Sequence, residues 1–162
     1  MSQLVRFSNS PEIYRAAQDL FAEVERRIHA ALPHAEVRHV GSTAVYGSLT
    51  KGDLDVLVRV NQGDFQEADG VLAELFRRNE GSDKTESFSA FMDTSVSPEL
   101  GVQLVADGTK YDRFTEWADR LANDEKLRSS YDELEARYDG KDMSDYRAAK
   151  DEFISSNLGE RE

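Results

Sequence analysis

The sequence predicts an α+β fold: one domain, with a mixed sheet of about four strands flanked by helices and followed by a C-terminal helical segment. Three observations carry this reading. Long stretches near the N-terminus and in the middle repeat apolar residues at three- and four-residue spacing, four short stretches alternate them, and the last third of the chain is helical in pattern throughout. A length of 162 residues suits a single domain, which buries about two-thirds of its unfolded surface and needs no disulfide or metal to fold. The α/β core is expected over 1–108 and the helical segment over 109–162.

The first helix is expected over Pro11 to Leu32. Ser10 stands where a cap belongs, Pro11 suits the first helical position, and Ile13, Ala17, Leu20, Phe21, Val24 and Ile28 form one apolar face. Glu36 to Val40 and Asp53 to Val60 alternate as strands, separated by a loop, Gly41 to Gly52, rich in Gly, Ser and Thr. A second helix is expected from Asp64 to Asn79, with Phe65, Ala68, Leu72 and Phe76 inward and Gly81 just beyond its end. Ser87 to Asp93 and Leu100 to Ala106 alternate again. Three helices close the chain: Lys110 to Ala122 with Phe114 and Trp117, Glu125 to Asp139 with Tyr131 and Leu134, and Asp145 to Leu158 with Tyr146 and Phe153.

Composition excludes several functions. With no cysteine there is no zinc finger, thiol catalysis or disulfide framework, which fits a reducing cytoplasm. No apolar run approaches the roughly 20 residues of a membrane span, and the N-terminal residues lack the pattern of a signal peptide, so a soluble, unprocessed cytoplasmic protein with no membrane partner is expected. The formal net charge is −12. A field of that sign repels phosphate polymers and anionic lipid, which disfavours a nucleic-acid partner.

One segment carries chemistry: Val37-Arg38-His39-Val40-Gly41-Ser42-Thr43, a loop, then Lys51-Gly52-Asp53-Leu54-Asp55-Val56. Alternate residues of a strand share a face, so Asp53 and Asp55 project together, about 7 Å apart, while Leu54 and Val56 enter the core. Mg²⁺ binds through one or two such carboxylates plus substrate phosphates. Gly41 lets backbone approach an anion and Ser42 adds a hydroxyl. A Gly-Ser turn for the phosphates with an Asp-x-Asp strand for the metal is a minimal site for nucleotidyl transfer. Neither half means much alone; their order and spacing carry the signal.

A hydrophobic residue, Gly-Ser, about a dozen loop residues and Asp-hydrophobic-Asp-hydrophobic resembles the signature of the DNA-polymerase-beta-like nucleotidyltransferase superfamily. More closely, His39-Val40-Gly41-Ser42-Thr43-Ala44-Val45 followed by Gly47 resembles the His-Ile-Gly-Ser-Thr-Ala-Val-Pro-Gly motif of the GrpB family (UPF0157). Phe114-Thr115-Glu116-Trp117, Tyr131-Asp132-Glu133-Leu134 and Tyr146-Arg147-Ala148-Ala149-Lys150 before Phe153-Ile154 are similar to that family's C-terminal helices. The resemblance implies a nucleotidyltransferase-like sheet in a family whose reaction is not established. On it, Asp53 and Asp55 bind Mg²⁺ or Mn²⁺ and are the catalytic acids. Gly41, Ser42, Thr43 and Lys51 hold the phosphates of an NTP substrate, His39 and Gln103 are additional candidates, and a small molecule or protein accepts the nucleotide.

Three departures matter. Tyr46 stands where the family usually has Pro, and Lys51-Gly52-Asp53-Leu54-Asp55-Val56 replaces its Lys-Pro-Ile-Ile-Asp-Ile, restoring the acidic pair. The superfamily's third carboxylate falls at Gln103, a neutral amide that has no useful proton affinity. Gln103 therefore favours a rival reading, a degenerate nucleotide-binding or scaffold protein; a third reading is a minimal nucleotidyltransferase working with a helical partner. Simpler roles stand beside these: Asp53 and Asp55 as charges protecting a sheet edge, His39 as a solvated side chain, His29 and His34 as partners of a helix dipole, and Lys51 as a turn lysine. Likewise Arg38 and Arg59 are expected in surface ion pairs, Trp117, Tyr131 and Phe153 in a helical core, and Asp132, Glu133 and Glu135 on a solvated face.

Overall fold

A computed structural model describes residues 3–158; residues 1, 2 and 159–162 and the side chain of Phe114 lie outside the described residues. The elements run α1 (Pro11–Ala31), β1 (Glu36–Val40), β2 (Leu54–Val60), α2 (Phe65–Leu75), β3 (Arg77–Arg78), β4 (Phe88–Asp93), β5 (Leu100–Ala106), α3 (Arg113–Asn123), α4 (Glu125–Tyr138) and α5 (Met143–Leu158). Five strands form one mixed sheet in the order β1-β2-β5-β4-β3, with β2 and β5 parallel and the other pairs antiparallel.

Strand alternation sorts side chains onto two faces. Leu54, Val56, Val58, Leu100, Val102 and Leu104 turn to one side and meet Ala17, Val24 and Ile28 of α1 and Phe65, Ala68 and Leu72 of α2. Leu57, Ala90, Phe88 and Val105 turn to the other, beside Val40 and Tyr111. A separate cluster of Trp117, Leu121, Leu127, Tyr131 and Leu134, with Phe153 against it, holds α3–α5 together.

The α+β class holds, with one more strand than expected. β3 is only Arg77–Arg78, paired with Phe91 and Met92, and two arginines carry no apolar alternation that a sequence pattern could show. Arg78 is held by a bidentate pair to Asp69 of α2 at 3.0 and 3.1 Å. This turn into β3 ends α2 at Leu75, short of Asn79. Pro11 does sit at the start of α1, but the Ser10 side chain makes no capping hydrogen bond. Asp124 caps α4 instead, accepting from the Leu127 N–H at 3.0 Å.

The edge-protection role for the acidic pair is overturned, because β2 lies between β1 and β5, inside the sheet. Residues 3–8 strap the two halves together. Val5 N–H donates to Lys141 O and Gly140 N–H to Val5 O beyond α4, while Ser8 and Thr50 exchange backbone bonds in the loop before β2.

Candidate active site

Asp55 occupies the second position of β2, opposite Val40 of β1 and Gly101 of β5. Glycines make room for its carboxylate on both sides. A Cβ on Gly41 would fall 2.6 Å from Asp55 Oδ2, and one on Gly101 would fall 3.2 Å from Asp55 Oδ1 and 3.6 Å from Gln103 Nε2. Gly41 also has φ +78°, a conformation that side-chain-bearing residues rarely adopt. The Gly-Ser turn is thus shaped around Asp55.

The loop between β1 and β2 is held by hydroxyls. Ser42 Oγ donates to Thr50 Oγ1 at 2.8 Å, and Thr50 Oγ1 accepts also from the Gly52 N–H at 3.0 Å. Lys51 Nζ lies 3.4 Å from Asp53 Oδ2 and 6.0 Å from the centre of the Tyr146 ring. These side chains form one wall of a cleft of about 190 Å³, together with Gly41, Asp53, Asp55 and Gln103. The opposite wall comes entirely from the C-terminal helices: Trp117, Ala118 and Leu121 of α3, Tyr131 of α4, and Tyr146, Lys150 and Ile154 of α5.

The charge balance is unusual for an exposed-looking motif. Burial pushes the Asp55 carboxyl above its ordinary range, nearby Asp53 adds to the rise, and Lys150 and Lys51 oppose it. No hydrogen bond reaches the Asp55 carboxylate from any described residue. Asp55 is half-buried, and a carboxylate that meets water but no described protein donor is a good cation ligand. Asp53 and Asp55 offer two hard oxygen donors, and the described residues contain no group of three or more His, Cys, Asp or Glu that could hold a metal. Two carboxylates could hold a divalent ion only if water or another ligand completed its coordination.

Of the residues singled out in the sequence, Gly41, Ser42, Lys51, Asp53, Asp55 and Gln103 meet in this cleft. Thr43 and His39 do not. Thr43 is buried, with Oγ1 donating to Asp53 O at 3.0 Å and lying 2.9 Å from His39 Nε2. The His39 ring stacks on Phe21 of α1, with centroids 5.3 Å apart, and burial lowers its pKa. Being opposite Val56, His39 belongs to the helix-covered face, which rules out both its solvated reading and a place on the cleft wall. These two residues brace the acidic strand from behind.

Glu135, expected on a solvated face, is only 1% exposed. Tyr146 Oη donates to its Oε2 at 3.2 Å, Tyr131 Oη lies 3.4 Å from Tyr146 Oη, and Oε1 has no partner. Tyr131, Trp117 and Phe153 do form core, but the first two also face the cleft. The missed wall had a faint signal: Tyr131 with Glu135, and Tyr146 with Lys150, are i,i+4 pairs, each on one helix face. Which way those faces turn was not legible without the fold.

A larger cavity, about 400 Å³, opens at the far end of β2 beside His34, Glu36, Arg59 and Asp107. It contains none of the motif residues.

A family model described as GrpB protein matches residues 12–160. The chain belongs to the GrpB family. A UPF0157 protein of Vibrio cholerae is 31% identical over 157 residues, covering 96% of this chain and 83% of the relative. The crystal structure of GrpB from Enterococcus faecalis superposes with a TM-score of 0.62 at 15% identity, over 94% of this chain and 99% of that one. Cid1 poly(U) polymerase with MgGTP bound superposes with a TM-score of 0.50 at 13% identity, over 75% of this chain and 41% of that enzyme. At these identities the structural likeness establishes the fold: this GrpB-family chain has a nucleotidyltransferase-like sheet.

Proposed function

We propose that the cleft is the active site of a metal-dependent nucleotidyltransferase, which moves a nucleoside monophosphate from an NTP to a small-molecule or protein acceptor in the cytoplasm. The observation that carries this reading is Asp55, a half-buried carboxylate seated between two glycines, with Asp53 beside it and no hydrogen-bond donor among the described residues. Asp53 and Asp55 would hold Mg²⁺ or Mn²⁺, and the bound ion would neutralise charge on the phosphates and on the leaving pyrophosphate. Lys51 and Lys150 present ammonium groups from opposite walls, as a triphosphate requires. Gly41 lets the turn approach the phosphates and the Ser42 hydroxyl faces them. Trp117, Leu121 and Ile154 give the other end of the cleft an apolar surface for a base.

Calorimetric titration with Mg²⁺ and each of the four NTPs tests the proposal. Wild-type protein should bind at least one NTP only with metal, and the double variant Asp53→Ala, Asp55→Ala should lose that binding. Equal binding by both proteins rejects the site. Gln103 favours a second reading, a nucleotide binder that has lost transfer, since an amide stands beside Asp55 where the superfamily has an acid. Binding without pyrophosphate release in the presence of any cell extract would select that reading.

A further inference from the structure

Nucleotidyl transfer leaves one proton to be placed. The acceptor hydroxyl must lose it as its oxygen attacks phosphorus, and Gln103 cannot take it. A different acid is buried behind the same cleft, next to two of its lining residues. Glu135 is 1% exposed, its Oε1 lacks a partner, and its Oε2 accepts from Tyr146 Oη. When Glu135 is a carboxylate, Tyr146 Oη gives its hydrogen to it, and the contact of 3.4 Å between the two tyrosine hydroxyls is then a donation from Tyr131 to Tyr146. Both tyrosines line the cleft, and the Tyr131 hydroxyl lies close enough to Asp55 to feel its charge.

From this arrangement we propose that Tyr131, Tyr146 and Glu135 form a proton wire that deprotonates the acceptor, with Glu135 as its buried terminus. The inference rests on the transferase reading above. In the step, the acceptor oxygen forms a bond to the α-phosphorus as the bond from phosphorus to the bridging oxygen breaks, and pyrophosphate departs with that electron pair. The acceptor proton passes to Tyr131 Oη, the Tyr131 proton to Tyr146 Oη, and the Tyr146 proton to Glu135 Oε2. Glu135 ends as a carboxylic acid and returns the proton to water after product leaves. It acts only through the two hydroxyls and does not touch substrate.

The surroundings suit an acceptor of protons near neutral pH. Burial raises the Glu135 carboxyl to about 8, and Asp132 on α4 adds to the rise. Lys150 and Tyr146 of α5 and Lys51 of the opposite wall pull it down. A base with a pKa near the working pH is the effective kind. Since only the carboxylate accepts, turnover should rise with pH up to about 8 and then level.

Three measurements decide the matter on the full chain: calorimetric binding of Mg²⁺ with a nonhydrolysable NTP, pyrophosphate release from NTP with water as acceptor, and infrared titration of the buried carboxylic acid in metal-free protein. Glu135→Gln should bind nucleotide like wild type, release pyrophosphate about 100-fold more slowly or worse, lose the pH-dependent limb, and lack an infrared carboxylic-acid band that titrates near 8 in wild type. Tyr146→Phe keeps the buried ring while breaking the wire, so it should show the same slow turnover with unchanged binding, and it decides the case if Glu135→Gln fails to fold. Wild-type turnover in either variant overturns the wire and leaves the transferase reading standing. Loss of binding and turnover together in Tyr146→Phe shows a structural role and also overturns it. Wild-type protein that binds nucleotide but releases no pyrophosphate, with water or with any cell extract as the source of acceptor, sinks the transferase reading, and the wire with it.

Discussion

Asp55, the proposed metal ligand, carries a charge that its folded surroundings disfavour. Its carboxyl is raised by burial and by Asp53, so the folded state holds its charge less readily than the unfolded chain does. The sign follows directly: a carboxyl with a raised folded pKa costs stability once pH exceeds its unfolded value, near 4, and costs nothing below it. Asp55→Asn should therefore raise the stability of metal-free protein at pH 7 by about 0.5–2 kcal/mol, with no gain near pH 3. Urea unfolding at the two pH values checks this, and a loss of stability at pH 7 would mean that the carboxylate is better partnered than its surroundings indicate. His39 makes the opposite lesson at the same scale. It stands one residue before Val40, the partner of Asp55, yet its ring stacks on Phe21 behind the strand, because one step along a strand exchanges one face of the sheet for the other.

Among the elements, β2 is the one the sequence describes best. Leu54, Val56 and Val58 alternate with Asp55 and Leu57, and both sets land on the faces that alternation requires. β3 was invisible because two arginines have no pattern, and they become a strand only by pairing with β4. That three helices close the chain was legible, although α3 starts at Arg113 and α5 at Met143 rather than at Lys110 and Asp145, but not that Tyr131, Tyr146 and Lys150 would face Asp53 and Asp55. Amphipathic spacing marks an apolar face without saying what it packs against. One joint that fixes α3 against the sheet is Arg59 on β2, which donates to Asp112 at 2.9 and 2.7 Å. Burial alone would raise the Asp112 carboxyl, but hydrogen bonds from Arg59, Thr115 and Gly108 outweigh it and hold the pKa at about 2. A depressed pKa contributes stability above the unfolded value, and that contribution fades as pH falls from about 4 toward 2. Arg59→Met should cost about 1 kcal/mol at pH 7, given its partial solvent screening, and the difference from wild type should shrink below pH 4; thermal melts across that range test it.

The whole molecule carries a formal net charge of −12, and this bears on the acceptor more than on the donor nucleotide. On the proposed reading, a cation at Asp53 and Asp55, with Lys51 beside them and Lys150 on the facing wall, holds one triphosphate locally. A polynucleotide must be followed over many phosphates, each needing neutralisation. Single-stranded RNA should therefore show no binding at physiological salt by fluorescence anisotropy, with or without Mg²⁺; salt-sensitive binding with a Kd below about 10 μM would reopen the choice of acceptor. Cid1 acts on RNA as a terminal uridylyl transferase, but the likeness covers 75% of this chain and only 41% of that enzyme. By itself the sequence determined the α+β class, the two strands and turn that carry Gly41, Ser42, Asp53 and Asp55, and the family, because strand alternation and motif spacing are local properties of the chain. Only the tertiary structure decided that β2 is interior, that His39 and Thr43 brace the strand from behind, and that Glu135 is buried behind two tyrosines facing the acidic pair. Those outcomes depend on how distant segments pack, and burial, which sets the state of Asp55 and Glu135, exists only once they have packed.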